Sequence, residues 1–317
     1  MLAPATTANL GPGFDCLGMA LDIWNRLDVF LDDAPQMSTD DSDKGQEPFV
    51  EVFGEGAGEL SSGRDNLIYR SMEFLFNEAG EEMPPVRLRC HNEIPLQRGL
   101  GSSSAAIAGG IVAANAISSK TFSGNELLEM AVTIEGHPDN VAPALLGGLR
   151  LVVSEGSNIM HVPISVPPEI HGVLFIPELK IATSDAREVV PRTVSLEDAV
   201  YNMSRASLLV AAMAANHPEY LVEATRDRLH QPYRQTLFPA MRLLFQAALD
   251  AGALGVFLSG SGSTVLALTK GREMTVAYEM AEAAKQLGLE GQVKISQPSL
   301  QGAHISAPMI ESPARGG

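Results

Sequence analysis

Residues Glu93-Ile-Pro-Leu-Gln-Arg-Gly-Leu-Gly-Ser-Ser-Ser-Ala-Ala106 place two glycines and three serines where a helix should begin. Gly99 and Gly101 allow sharp turns and let a ligand approach the backbone. The first-turn amides of a helix have no partner within it and sit at the positive end of the peptide dipoles, so this start suits an anion. Ser102, Ser103 and Ser104 add hydroxyl donors, and Ala105, Ala106 and Ala108 keep the helix slim. The segment lacks the Gly-Lys-Ser/Thr ending of a P-loop and the glycine spacing of a dinucleotide fold. Alone, it reads equally as a Ser-rich cap on a buried Ala helix. Two other segments add to it. Gly260-Ser-Gly-Ser263 can present successive amides as an anion nest. Asn9-Leu-Gly-Pro-Gly-Phe-Asp15 puts an amide and a carboxylate beside a rigid turn.

Further candidates stand near turns. Glu135 ends a predicted helix, and His137 and Asp139 flank Pro138, which prevents a simple continuation, so both side chains are expected on loop geometry. From position alone, a solvated helix-end glutamate and a surface or capping histidine are the plainer readings of Glu135 and His137. Arg187 and Arg234 are isolated arginines in an acidic chain, and an arginine fork fits a carboxylate; surface salt bridging is the plainer reading of both. Asn66 reads as a helix N-cap. Cys16 and Cys90 read as small buried hydrophobes.

Elements that could hold these residues follow from periodicity. Residues 1–15 read as loop and turn, because two prolines and two glycines stand among them. Strands are predicted over 17–31, 49–53, 86–90 and 149–153, and helices over 66–76, 104–117 and 124–136. The last of these starts with a capping box, Ser123 with Glu126. Residues 32–48 are acidic and Ser-rich, and read as an exposed mobile loop. In the second half, strands are predicted over 172–177, 255–258, 264–268 and 292–295, and helices over 195–215, 216–229, 239–251 and 273–287. Residues 308–317 read as a frayed tail. The pattern fits an α+β class in two domains, 1–160 and 161–317.

The chain has 317 residues, enough for about two domains with buried cores. Lys plus Arg number 22 against 38 Asp plus Glu, a net charge of −16, which argues against nucleic acid as a partner. Two cysteines cannot form a disulfide framework. The first residues carry no positive charge or long apolar run, so no signal peptide is expected. The most apolar stretch, Ala105 to Ile117, is too short to span a bilayer. The expected setting is cytoplasmic, without a membrane partner.

Taken together, Pro4-Ala-Thr-Thr-Ala-Asn-Leu-Gly-Pro-Gly-Phe-Asp-Cys-Leu-Gly18, Arg98-Gly-Leu-Gly-Ser-Ser-Ser-Ala105, Glu135-Gly-His-Pro-Asp-Asn-Val-Ala-Pro143 and Leu258-Ser-Gly-Ser-Gly-Ser263 resemble the signature set of the GHMP small-molecule kinases, most closely their homoserine kinase branch. The likeness runs through nearly the whole chain. One departure is that only three residues precede Pro4, where the family usually has a short strand. The resemblance implies a two-domain GHMP kinase fold, with an N-terminal domain like the second domain of ribosomal protein S5 and a C-terminal ferredoxin-like domain. It implies transfer of a phosphoryl group from ATP to L-homoserine, giving O-phospho-L-homoserine and ADP on the route to threonine, in a homodimer. It places ATP on Pro95, Leu96, Gln97, Arg98, Gly99, Leu100, Gly101, Ser102, Ser103, Ser104 and Ala105, with Ser62 and Asn66 as nucleotide candidates. Mg2+ falls to Glu135 with Ser103 or Ser104. Homoserine falls to Asn9, Asp15, His137, Asp139, Thr183, Arg187, Arg234 and Gly260. Glu135, Asp139 and Ser103 become the catalytic candidates, although an Asp139 beside the substrate ammonium is a poor base, and a mechanism without a dedicated base is favoured. The competing readings are a mevalonate or isoprenoid-intermediate kinase and a GHMP-fold binding protein without catalysis.

Overall fold

The computed structural model describes residues 1–31, 49–156 and 158–306. The loop expected at 32–48 and the tail expected at 308–317 lie outside the described residues.

The opening residues are not a loop. β1 (Leu2–Asn9) and β2 (Gly13–Phe30) pair antiparallel. Pro4 brings no N–H, but it stands at a register shift between Pro4 and Ala5, where proline is tolerated. Thr6 and Thr7 favour extended backbone. Gly11 and Pro12 fall in the short connection. The chain continues through β3 (Val50–Gly54), α1 (Leu67–Ala79), β4 (Arg87–Asn92), α2 (Ser102–Ile117), α3 (Gly124–Glu135), α4 (Pro138–Leu146), β5 (Leu149–Glu155) and β6 (Asn158–Ile164). The strands form one sheet in the order β3-β4-β2-β5-β6, with β1 also on β2. α2 is apolar all round and buries Ile107, Ala108, Ile111 and Ala114 in the core beneath that sheet. The Ser123–Glu126 capping box opens α3 as expected.

α4 corrects the loop expected after Gly136. Pro138 occupies the first helical position, where a missing N–H costs nothing and a fixed φ helps, so it starts a helix rather than stopping one. Pro143, inside α4, leaves the Asp139 carbonyl without its helical donor. β2 fits against that carbonyl at Gly18, where a Cβ would stand 1.6 Å from the Asp139 oxygen.

After β6 the chain builds a second sheet. Its elements are β7 (His171–Pro177), α5 (Thr183–Glu188), α6 (Leu196–Ala214), a 3-10 turn at Pro218–Tyr220, α7 (Leu221–Ala224), α8 (Gln231–Arg234), α9 (Met241–Asp250), β8 (Gly255–Leu258), β9 (Val265–Thr269), α10 (Glu273–Gln286) and β10 (Gly291–Ser296). The antiparallel order β10-β7-β9-β8 is the ferredoxin-like arrangement. α9 and α10 cover one face of it. The other face joins β1 and β2 in a shared core that brings Leu17, Met19 and Leu21 together with Leu174, Phe257 and Leu266.

The helix expected over 216–229 ends at Ala224. The Asp227 carboxylate accepts the amides of Leu229, His230 and Gln231, which turns the chain into α8 instead. Periodicity also missed β6, α5 and α8. Pro163 lies in β6, which pairs only with β5 at the sheet edge, and α5 and α8 are too short to show a period.

Candidate active site

One cavity of about 380 Å³ is lined by the 95–103 loop, the start of α1, Glu135, the first turn of α4, the start of α5, Arg234 and Gly260. One end of it is built by the loop and the start of α2. Gly101 is the N-cap of α2 with φ +66, a left-handed conformation, and offers no side chain to the free amides. A Cβ there would meet Thr6 Oγ1 at 1.9 Å. The loop is held from below by Thr6 N donating to Leu100 O at 3.0 Å, and from the side by Ser259 Oγ donating to Gly99 O at 2.6 Å. Ser102 and Ser103 line the cavity at the helix start.

Glu135, at the C-terminal end of α3, reaches the same point. Its Oε1 accepts from Ser103 Oγ at 2.6 Å and Ser104 Oγ at 2.9 Å. His137 Nδ1 contacts Asp139 Oδ1 at 2.7 Å, and its Nε2 lies 3.8 Å from Glu135. Burial lowers the His137 pKa, but the hydrogen bond to Asp139 and the charges of Asp139 and Glu135 together outweigh it, so the net shift is upward. Asp139 is buried and also accepts from Asn140 Nδ2 at 3.4 Å.

Two guanidinium groups define the other end. Arg187 in α5 donates to both oxygens of Asp15 at 2.9 Å, and this hydrogen bond raises its pKa further. Asp15 is held by its own amide, which donates to Asn9 Oδ1 at 3.0 Å. Arg234 is buried, 3% exposed, and donates to the carbonyls of Gly260 at 2.8 Å and Ala186 at 3.1 Å. Burial, then the charge of Arg187, pushes its pKa down to about 10. No ion pair to Arg234 is found among the described residues. A buried cation with only neutral partners is a strong site for an anionic ligand.

The structure brings most of the expected residues to one place. Asn9, Asp15, Asn66, Pro95 to Ser103, Glu135, His137, Asp139, Thr183, Arg187, Arg234 and Gly260 all line the cavity. Ser62, Ser104 and Ala105 do not. Ser104 is fully buried with its hydroxyl on Glu135, and Ala105 is in the core. Ser62 uses its carbonyl to hold Val50. The Arg98 guanidinium donates to Pro177 O at 2.6 Å and Leu96 O at 3.2 Å, tying the loop to the second sheet. The anion nest expected at 260–263 is also corrected. Gly260 N donates to Ala8 O and Gly262 N to Ser259 O, so the turn clasps the two sheets together and offers its Gly260 carbonyl to Asn9 and Arg234. Both cysteines are free, and burial raises their thiols, Cys16 to about 11 and Cys90 to about 12.

Sequence reasoning left several supporting residues unassigned. Thr6 donates to Asn140 Oδ1 at 2.8 Å. Val52 and Leu60 join Leu67 and Ile68 in an apolar lobe of the cavity beside Asn66. His230 is fully buried, its Nε2 2.7 Å from Gly11 O and its Nδ1 3.1 Å from Arg234 Nη1. Only its place four residues before Arg234 hinted at this.

No described helix is long and apolar enough to cross a membrane. Family models match the chain twice, as the GHMP kinases N terminal domain over residues 66–148 and as the GHMP kinases C terminal region over residues 199–286. A homoserine kinase of Moorella thermoacetica is 43% identical over 302 residues, covering 95% of this chain and 98% of that protein. Among solved structures, homoserine kinase from Cytophaga hutchinsonii superposes with a TM-score of 0.83 at 29% identity, covering 95% of both chains. Phosphomevalonate kinase of Streptococcus pneumoniae shares the fold at a TM-score of 0.70 with 14% identity, over 94% of this chain and 99% of that one.

Proposed function

The chain belongs to the GHMP kinases and, within them, to the homoserine kinases, so it is a phosphotransferase acting on homoserine, and we propose that the cavity holds ATP and L-homoserine end to end with Mg2+ between them. A single observation carries this reading. One cavity joins an uncapped helix N-terminus, a carboxylate bearing serine hydroxyls, and two arginines.

The nucleotide phosphates lie on the amides of Ser102 to Ser104, whose dipoles and unpaired N–H groups favour anions. The base lies in the apolar lobe by Asn66. The donor set fits Mg2+, which prefers hard oxygen ligands: Glu135 and the exposed Ser103 hydroxyl share one point, whereas Ser104 is buried behind them. When bound, the ion offsets phosphate charge during transfer.

Homoserine is a zwitterion, and Asp15 and Arg187 are already a matched pair of opposite charges. Its carboxylate goes to Arg187 and to Arg234, and its ammonium goes to Asp15 and Asp139, so Arg187 and Asp15 each exchange the other for a substrate charge. Thr183 borders the same space. Asn9 fixes the Asp15 backbone and the Gly260 carbonyl. Asp139 is engaged by His137 and Asn140, and its role is to hold and orient substrate; the δ-hydroxyl proton passes to an oxygen of the transferred phosphoryl group rather than to a dedicated protein base. Positioning and charge neutralisation supply the rate, as phosphoryl transfer allows. By family membership, we read the working form as a cytoplasmic homodimer.

The test is ADP release with ATP and a panel of homoserine, serine, threonine and mevalonate. Homoserine should be turned over with the highest kcat/KM. Preferential turnover of mevalonate, or ATP binding with no turnover of any of the four, would overturn the reading.

A further inference from the structure

Phe14 lies outside the cavity lining, yet its ring neighbours both arginines of the site and His230. The Cζ of Arg234 stands 5.4 Å from its ring centroid and the Cζ of Arg187 stands 5.9 Å from it. The His230 ring stacks on Phe14 with centroids 5.1 Å apart and planes at 23°. We propose that Phe14 is a positioning residue for substrate recognition, its ring being the common surface that holds Arg187 and Arg234 side by side.

Two guanidinium groups in one cleft repel each other, so something must hold them close. Asp15 does this for Arg187. Arg234 has only neutral acceptors, and the π-face of Phe14 supplies electron density to both arginines at once. His230 completes the frame. Its Nε2 lies 2.7 Å from the Gly11 carbonyl, which can only accept, so Nε2 carries the proton and Nδ1 accepts from Arg234. Backbone geometry fixes the ring as well. Asp15 has φ +57, secured by Asn9, and this left-handed residue lets neighbouring side chains both reach Arg187: Asp15 through its carboxylate and Phe14 through its ring.

The inference rests on the reading that the two arginines take the carboxylate of homoserine. It is tested with homoserine and 3-amino-1-propanol, which is homoserine without that carboxylate. Phe14→Leu keeps an apolar side chain and removes the π-face; Phe14→Met serves the same purpose if the leucine variant does not fold. The expected result is a homoserine KM raised about ten-fold, the size of two lost cation–π contacts, with the KM for ATP changed by less than about two-fold. Affinity for 3-amino-1-propanol should not change, and Phe14→Tyr, which keeps the ring, should restore homoserine affinity. A variant that weakens both compounds equally, or raises both KM values together, shows a merely structural role and overturns the proposal. If the unmodified enzyme binds the two compounds equally well, the carboxylate reading itself fails, whatever Phe14 does.

Discussion

Glu135 gathers two serine hydroxyls on one carboxylate oxygen at the foot of α2, which concentrates hard oxygen atoms beside the helix N-terminus. Glu135→Ala should therefore lower kcat by about 10²-fold or more and weaken its dependence on magnesium, with little change in melting temperature. Steady-state rates across a magnesium titration check this, and unchanged rates at every concentration would refute the metal role. His230 gives a pH prediction. Burial pushes its pKa down to about 4, below the ordinary value near 6.5, so the unfolded chain takes up the proton first. Its neutral form stabilises the fold above about pH 6.5, and that stability is lost as pH falls from there toward about 4. Melting temperature measured against pH should show this slope, and His230→Gln should flatten it. At this scale the sequence marked residues that gather at the cavity, as at 98–103 and at Asn9 and Asp15, but it misread the 260–263 turn, where two of the amides go to backbone carbonyls. The pairing of Asp15 with Arg187 was not readable, because the partners are 172 residues apart. Nor could composition tell the exposed Ser103 from the buried Ser104, or show that the Arg98 guanidinium goes to the Pro177 and Leu96 carbonyls.

Elements place these residues through close backbone contact more than through periodic patterns. α4 meets β2 at Gly18, and the contact sets the height of Asp139 in the cavity. Gly18→Ala would force a Cβ into a backbone oxygen that cannot swing aside. It should cost about 1–3 kcal/mol of stability by urea unfolding and raise the homoserine KM more than the ATP KM. A variant as stable as the parent, with unchanged homoserine KM, would show that α4 is not held by this contact. Long helices were legible in the sequence, α3, α6 and α10 by their pattern and α2 by its Ala-rich run, as were the buried strands β7, β8 and β9. β1 was hidden by Pro4 and its neighbouring glycines, whose effect a register shift and a short connection absorb. α4 was hidden because a proline reads as a stop until its position within a helix is known. α5 and α8, which carry Thr183, Arg187 and Arg234, are 6 and 4 residues long, and tertiary contacts alone define them.

Across the whole molecule, the two sheets share a core of Leu17, Met19, Leu21, Leu174, Phe257 and Leu266, so the α2 end and the arginine end of the cavity are fixed to a common interior. Arg98 and the 259–262 turn add polar ties between them. The division into α+β halves was visible in the order of predicted elements; this shared interior was not, since nothing local marks which face of β7 or β9 meets β2. With a net charge of −16, the arginines of the cleft are a local feature, so anionic ligands gain from the site and not from the surface. The most direct measurement is a crystal structure with Mg2+, a non-hydrolysable ATP analogue and homoserine. The β- and γ-phosphates should lie within hydrogen-bond distance of the Ser102 to Ser104 amides, with the metal on Glu135 and the homoserine carboxylate on Arg187 and Arg234. Phosphates bound away from the start of α2, or an amino acid lodged outside the space between Asp15 and Asp139, would contradict it.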